Sequence, residues 1–135
     1  KLGDQVSRLD RWEPELNSAL PGDARDTTTP EAMVTTVQRI VLGSALSPSS
    51  RSQMTNWLLG NKVGDAKIRA GVPAGSRVAD KTGGGSNGTN NDVGIVWVPG
   101  RAPLVLACYL TGTAAEQKVR DAVIANVARY VTSRA

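Results

Sequence analysis

The chain has 135 residues, 40% of them hydrophobic and 21% charged, an ordinary balance for one globular domain with its own core. Aromatic residues make up only 4% and Phe is absent, so aliphatic side chains must fill that core. The net charge of +4 does not mark a nucleic-acid binder, because basic residues alternate with acids, as in Arg8-Leu9-Asp10-Arg11 and Lys118-Val119-Arg120-Asp121. No His and a single Cys, Cys108, exclude an in-chain disulfide and argue against a transition-metal site. Cys108 sits within the apolar run 104–110, where a small buried hydrophobe is the expected role. No apolar run is long enough to cross a bilayer.

In chain order, residues 3–26 form a long polar connection punctuated by Pro14, Pro21 and Gly22. Thr29-Pro30 gives a helix start, with Thr29 as cap and Pro30 at the first helical position. Met33, Val37, Ile40 and Val41 recur at helical spacing, and Gly43 ends the run. Ser47-Pro48 repeats the start signal, with Met54, Trp57 and Leu58 as the apolar stripe before Gly60. Strands are predicted over 76–82, 93–98 and 104–110, the last two joined by a turn at 99–103. The glycine-rich stretch 83–88 is expected to be a tight or mobile turn. A final helix over 115–132 is expected to place Val119, Val123, Val127 and Tyr130 on one buried face. Hairpins beside a terminal helix imply an α+β fold with an antiparallel sheet. The natural division is 1–61, loop and helices, and 62–135, strands and terminal helix.

Three local patterns carry chemistry. Glu13 lies in a polar loop, where a carboxylate is ordinarily just solvated. Pro14 restricts the backbone there, and Asn17, four residues on, is close enough for its amide to hold a water beside the carboxylate. A carboxylate and an amide around one water can deprotonate that water for attack on an ester. Arg11 and Asp26 stand at the two ends of the same loop, either as a pair pinning its base or as unrelated exposed charges. Lys81-Thr82-Gly83 is a common tripeptide, made more specific by its place at a strand end followed by Gly84 and Gly85, which let a ligand approach the backbone closely.

Taken together and in this order, Arg11-Trp12-Glu13-Pro14-Glu15-Leu16-Asn17 and Lys81-Thr82-Gly83 resemble the omega-loop opening and the Lys-Thr-Gly strand of class A serine β-lactamases. Gly83-Gly84-Gly85 with Asn91-Asp92 is similar to the extended-spectrum branches of that family. The resemblance spans essentially the whole chain. It implies an α/β sandwich, a five-stranded antiparallel sheet flanked by helices, beside an all-helical domain. It assigns Glu13 as the general base, Asn17 as its partner on the water, and an Arg11–Asp26 pair closing the loop. Lys81 and Thr82 would meet the carboxylate of a β-lactam, and Gly83, Gly84 and Gly85 would line its path, with the Gly84 N–H facing an oxyanion. The family's additional arginine is absent: Asn90, Lys67 and Asp121 occupy the corresponding positions, and Lys67 is the expected substitute.

Neither Ser-x-x-Lys nor Ser-Asp-Asn occurs, so the nucleophile is expected on an N-terminal half outside this sequence. The resemblance then implies hydrolysis of penicillins or cephalosporins through a serine acyl-enzyme, without metal or cofactor, in the periplasm or outside a bacterial cell. Two other readings differ in their demands. A penicillin-binding transpeptidase would carry Lys-Thr-Gly but has no need of Glu13 and Asn17. A complementation fragment would be inactive alone, with an open sheet edge and a bare apolar face.

Overall fold

The computed structural model describes residues 2–134. Its elements are helix α1 (Pro30–Val37), α2 (Pro48–Leu59), the short α3 (Ile68–Gly71), strands β1 (Arg77–Gly84), β2 (Asn90–Trp97) and β3 (Leu104–Leu110), and α4 (Gln117–Thr132). The strands form one antiparallel sheet in the order β1-β2-β3, so the fold is α+β. Val78 pairs with Val96, Thr82 with Asp92, and Asp92 with Cys108, which sets the register at the site.

Local chemistry explains the helix starts. Thr29 Oγ1 accepts the Ala32 N–H and Ser47 Oγ accepts the Ser50 N–H, each at 3.2 Å, with proline at the first helical position of both helices. The end of α1 widens into a π turn, Gln38–Leu42, and stops at Gly43, where a Cβ would stand 2.8 Å from the Arg39 carbonyl oxygen. α1 lies against β2 and β3, and α2 against β1. The main core joins Ile68 of α3, Val78, Val96, Val98 and Leu106 of the sheet region, and Ile124 and Ala128 of α4.

Three sequence expectations are corrected. The buried face of α4 is Ile124, Ala125, Ala128 and Thr132, whereas Val119, Val123, Val127 and Tyr130 are 41–58% exposed. The reason is close backbone packing: a Cβ at Gly71 would press on Ala128 Cβ at 2.8 Å, so α3 and α4 touch through small residues and larger valines cannot face inward there. Trp57 is 65% exposed rather than part of the inner stripe of α2. The glycine-rich stretch is not all turn: Gly83 and Gly84 pair with Asn91 and Asn90, so β1 continues past Thr82 and the turn is confined to residues 85–89. Cys108 is half-buried, and burial pushes its thiol pKa up.

Candidate active site

The loop before α1 is built almost entirely from polar contacts. Arg11 Nε donates to Asp26 Oδ2 at 2.6 Å, and Asp26 Oδ1 accepts the N–H groups of Asp10 at 2.6 Å and Arg11 at 2.9 Å. Asp10 returns the contact, its Oδ2 accepting Asp26 N–H at 3.0 Å. Arg11 also donates to Ser18 Oγ at 3.0 Å, tying the loop base to its middle. Burial opposes the Asp26 charge, yet the Asp10 N–H and the Arg11 side chain outweigh it and hold this carboxyl below its ordinary range. Arg8, with the Asp26 N–H, lowers Asp10 to about 2.

Within this frame the Glu13–Pro14 peptide is cis and a 3-10 turn, Glu15–Ser18, follows. The turn brings Asn17 back onto Glu13, and its Nδ2 donates to Glu13 Oε2. Glu13 itself is exposed. The Asn17 carbonyl accepts the Ser86 N–H at 2.8 Å, joining the loop to the end of the Lys-Thr-Gly strand. A Cβ at Gly85 would stand 2.7 Å from that carbonyl oxygen, so glycine is needed for the approach.

Between loop and sheet opens a cleft of about 680 Å³, lined by Asn17, Lys81, Thr82, Gly83, Gly84 and Gly85 among others. Lys81 is exposed and donates to the Thr82 carbonyl at 2.6 Å. Around the far side of the strand a smaller cleft of about 420 Å³ is lined by Lys67, Thr82, Gly83, Gly84, Asn90 and Arg120. Thr82 thus borders both. Lys67 is only 7% exposed and its Nζ donates to the Asn91 carbonyl at 3.2 Å. Asn90 is tied to α4, donating to Asp121 at 3.0 Å and accepting from Gln117 at 3.1 Å. Among the described residues no three His, Cys, Asp or Glu side chains gather as a metal site.

The structure therefore brings Asn17, Lys81, Thr82, Gly83, Gly84 and Gly85 to one cleft, with Glu13 tied to it through Asn17, Lys67 on the adjoining cleft, and Arg11 and Asp26 at the loop base. Sequence reasoning missed Asp80 and read Asp92 only as part of a branch motif; both are 0% exposed beneath the strand. Arg69 Nε meets Asp80 at 2.7 Å, which gives that arginine a structural partner away from the cleft. The available signal was the acid in Val78-Ala79-Asp80, an inward position by strand alternation. Gln117 was also missed, because on a solvated helix end it reads as surface.

A sheet of this order, an ion-paired loop carrying Glu13 and Asn17, and a Lys-Thr-Gly strand across the cleft define a serine β-lactamase-type scaffold. The sequence matches the β-lactamase enzyme family over residues 1–135, and the chain belongs to that family. It is 51% identical over 130 residues to a β-lactamase of Streptomyces albus G, covering 96% of this chain and 41% of the relative. It is 50% identical over 131 residues to β-lactamase CTX-M-6 of Salmonella typhimurium, covering 97% and 45%. Among solved structures, the class A β-lactamase of the last common ancestor of Gram-negative bacteria is 57% identical with a TM-score of 0.95, covering 98% of this chain and 50% of that one. The chain thus spans less than half the length of these curated relatives and half of the solved one.

Proposed function

We propose that this chain supplies the deacylating half of a class A β-lactamase site, hydrolysing the β-lactam ring of penicillins or cephalosporins together with an N-terminal half that carries the serine. The observation that carries the reading is the Asn17–Glu13 contact, fastened to the Lys-Thr-Gly strand through the Asn17 carbonyl and Ser86 N–H. Residues 1–61 contribute the omega loop and part of a helical domain, and residues 62–135 the last three strands and terminal helix of the α/β domain. The exposed valine stripe of α4 and the unpaired outer edge of β3 support such a partner, since both would otherwise leave apolar surface and strand polar groups open to water.

In the mechanism, the serine attacks the lactam carbonyl: a C–O bond forms, the ring C–N bond breaks and the ring nitrogen takes a proton. In this reading the Gly84 N–H receives negative charge on the carbonyl oxygen, and Lys81, Thr82 and Lys67 meet the substrate carboxylate. Glu13 then removes a proton from a water that Asn17 helps hold, and that water attacks the ester carbon and releases the serine. No group in this sequence replaces the nucleophile, so the chain alone is inactive in this reading. In this reading the enzyme works in the periplasm or outside the cell.

The test is intact mass of the chain assembled with its N-terminal half, before and after a penicillin is added. A Glu13→Gln assembly should gain the mass of the drug and keep it, because acylation continues while deacylation stops. If that variant turns penicillin over at the unsubstituted rate, Glu13 is not the base. If no adduct forms on either assembly, the chain is an inactive complementation fragment.

A further inference from the structure

The polar feature that the mechanism leaves unused lies beneath the Lys-Thr-Gly strand. Asp80 and Asp92 are both fully buried, and the register brings them together. Asp80 faces Gly94 across the β1–β2 pair, and Gly94 is two residues from Asp92 on the same side of the sheet. Glycine leaves the space between them open, since a Cβ at Gly94 would stand 2.8 Å from Asp80 Cα. Two carboxylates buried side by side cannot both ionise without a heavy electrostatic penalty.

The hydrogen bonds show where the proton belongs. Asp80 accepts from Arg69 Nε on one oxygen at 2.7 Å and from Asn61 Nδ2 on the other. Asp92 Oδ2 accepts the Ile68 N–H at 3.1 Å, while Asp92 Oδ1 is buried with no donor among the described residues. A donorless oxygen beside a carboxylate is satisfied at once when it carries a hydroxyl hydrogen. The other groups facing the pair are Lys67 before α3 and Cys108 directly opposite Asp92 on β3. Burial, opposed by the Ile68 N–H and reinforced by the Asp80 charge, pushes the Asp92 carboxyl up to about 7.

We propose that Asp92 carries a proton donated to Asp80, and that this neutral carboxyl is a positioning group for Lys67. The connection is short: Asp92 holds the Ile68 N–H, Ile68 follows Lys67, and Lys67 Nζ reaches the carbonyl of Asn91, the neighbour of Asp92. Ionising Asp92 sets two charges against each other and loosens the start of α3, so Lys67 loses its fixed place beside Thr82. This rests on the reading of Lys67 as a contact for the substrate carboxylate.

The test uses the assembled enzyme with 13C-labelled aspartate. The Asp92 carboxyl resonance should report the protonated form at pH 6 and titrate near neutrality. In parallel, KM for a penicillin should rise on the order of three- to tenfold between pH 6 and pH 8.5, with less change in kcat. Asp92→Asn keeps an acceptor for Ile68 N–H and a permanent N–H toward Asp80, so its KM should stay flat over that range. Asp92→Ala should raise KM at both pH values. An ionised Asp92 at pH 6, or an Asn variant that keeps the alkaline rise in KM, overturns the proposal. If the assembly hydrolyses no β-lactam, the functional reading falls, and the carboxyl titration still decides where the proton resides.

Discussion

The loop carrying Glu13 and the sheet carrying Lys81 meet at one cleft but are held by opposite means. The loop, residues 11–26, has no buried hydrophobic side chain; its shape comes from Arg11, Asp26 and Asp10 exchanging hydrogen bonds. The sheet rests on Ile68, Val78, Val96, Leu106 and Ile124, with a buried polar pair under its active strand. A surface held by ion pairs and backbone contacts opens locally at little cost, whereas a close-packed core gives way only with the whole domain. One side of the site is therefore adjustable and the other rigid. The two are joined by the hydrogen bond from Ser86 N–H to the Asn17 carbonyl.

Breaking the rigid side should produce the largest effect. Gly71→Val forces a branched side chain between α3 and α4, where even a Cβ is too close to Ala128, and should cost about 3 kcal/mol in a urea titration of the assembly. A loss below about 0.5 kcal/mol would mean that the helices separate readily and that the core is looser than its contacts imply. Breaking the loop should leave global stability nearly unchanged and act on turnover. Asp26→Ala removes the acceptor of three donors and should slow deacylation by roughly tenfold while raising proteolytic nicking within residues 11–26. Unchanged nicking and unchanged turnover would show that the pins do not set the loop's geometry.

Acid should separate the two regions without mutation. Asp10 and Asp26 release protons more readily folded than unfolded, so their contribution is complete above the ordinary value of 3.8 and is lost as pH falls below it, for Asp10 through about 2. Asp92 runs the other way. Its folded value lies above the unfolded one, so its contribution is complete below 3.8 and fades as pH rises through about 7. Loop protection from protease should thus fail below about pH 4, whereas sheet stability should decline between about pH 4 and pH 7 and level off above that. Coincident loss of both at acid pH alone would remove the distinction. The smallest effect belongs to a helix remote from the cleft: Ser47→Ala should cost about 1 kcal/mol in the same urea titration, with hydrolysis unchanged.

Much of this arrangement is legible in the residues, for reasons that act locally. Thr29-Pro30 and Ser47-Pro48 start helices because each hydroxyl can reach an N–H three residues ahead, and the hairpin turn at 99–103 follows from Pro99-Gly100. The strand-end position of Lys81-Thr82-Gly83 is local too, though pairing with Asn90 and Asn91 extended the strand further than glycine content suggested. The buried face of α4 was not legible. Its two stripes share the same period, and which one turns inward depends on the close approach of Gly71, distant in sequence. The Asp80–Asp92 pair was equally hidden, because strand alternation points each acid inward but only the register places them side by side. Sequence by itself determined elements, turns and the family's motifs, since these rest on contacts a few residues apart. Tertiary structure decided which faces are buried and which charges share a site, because those depend on segments that meet only when the chain is folded.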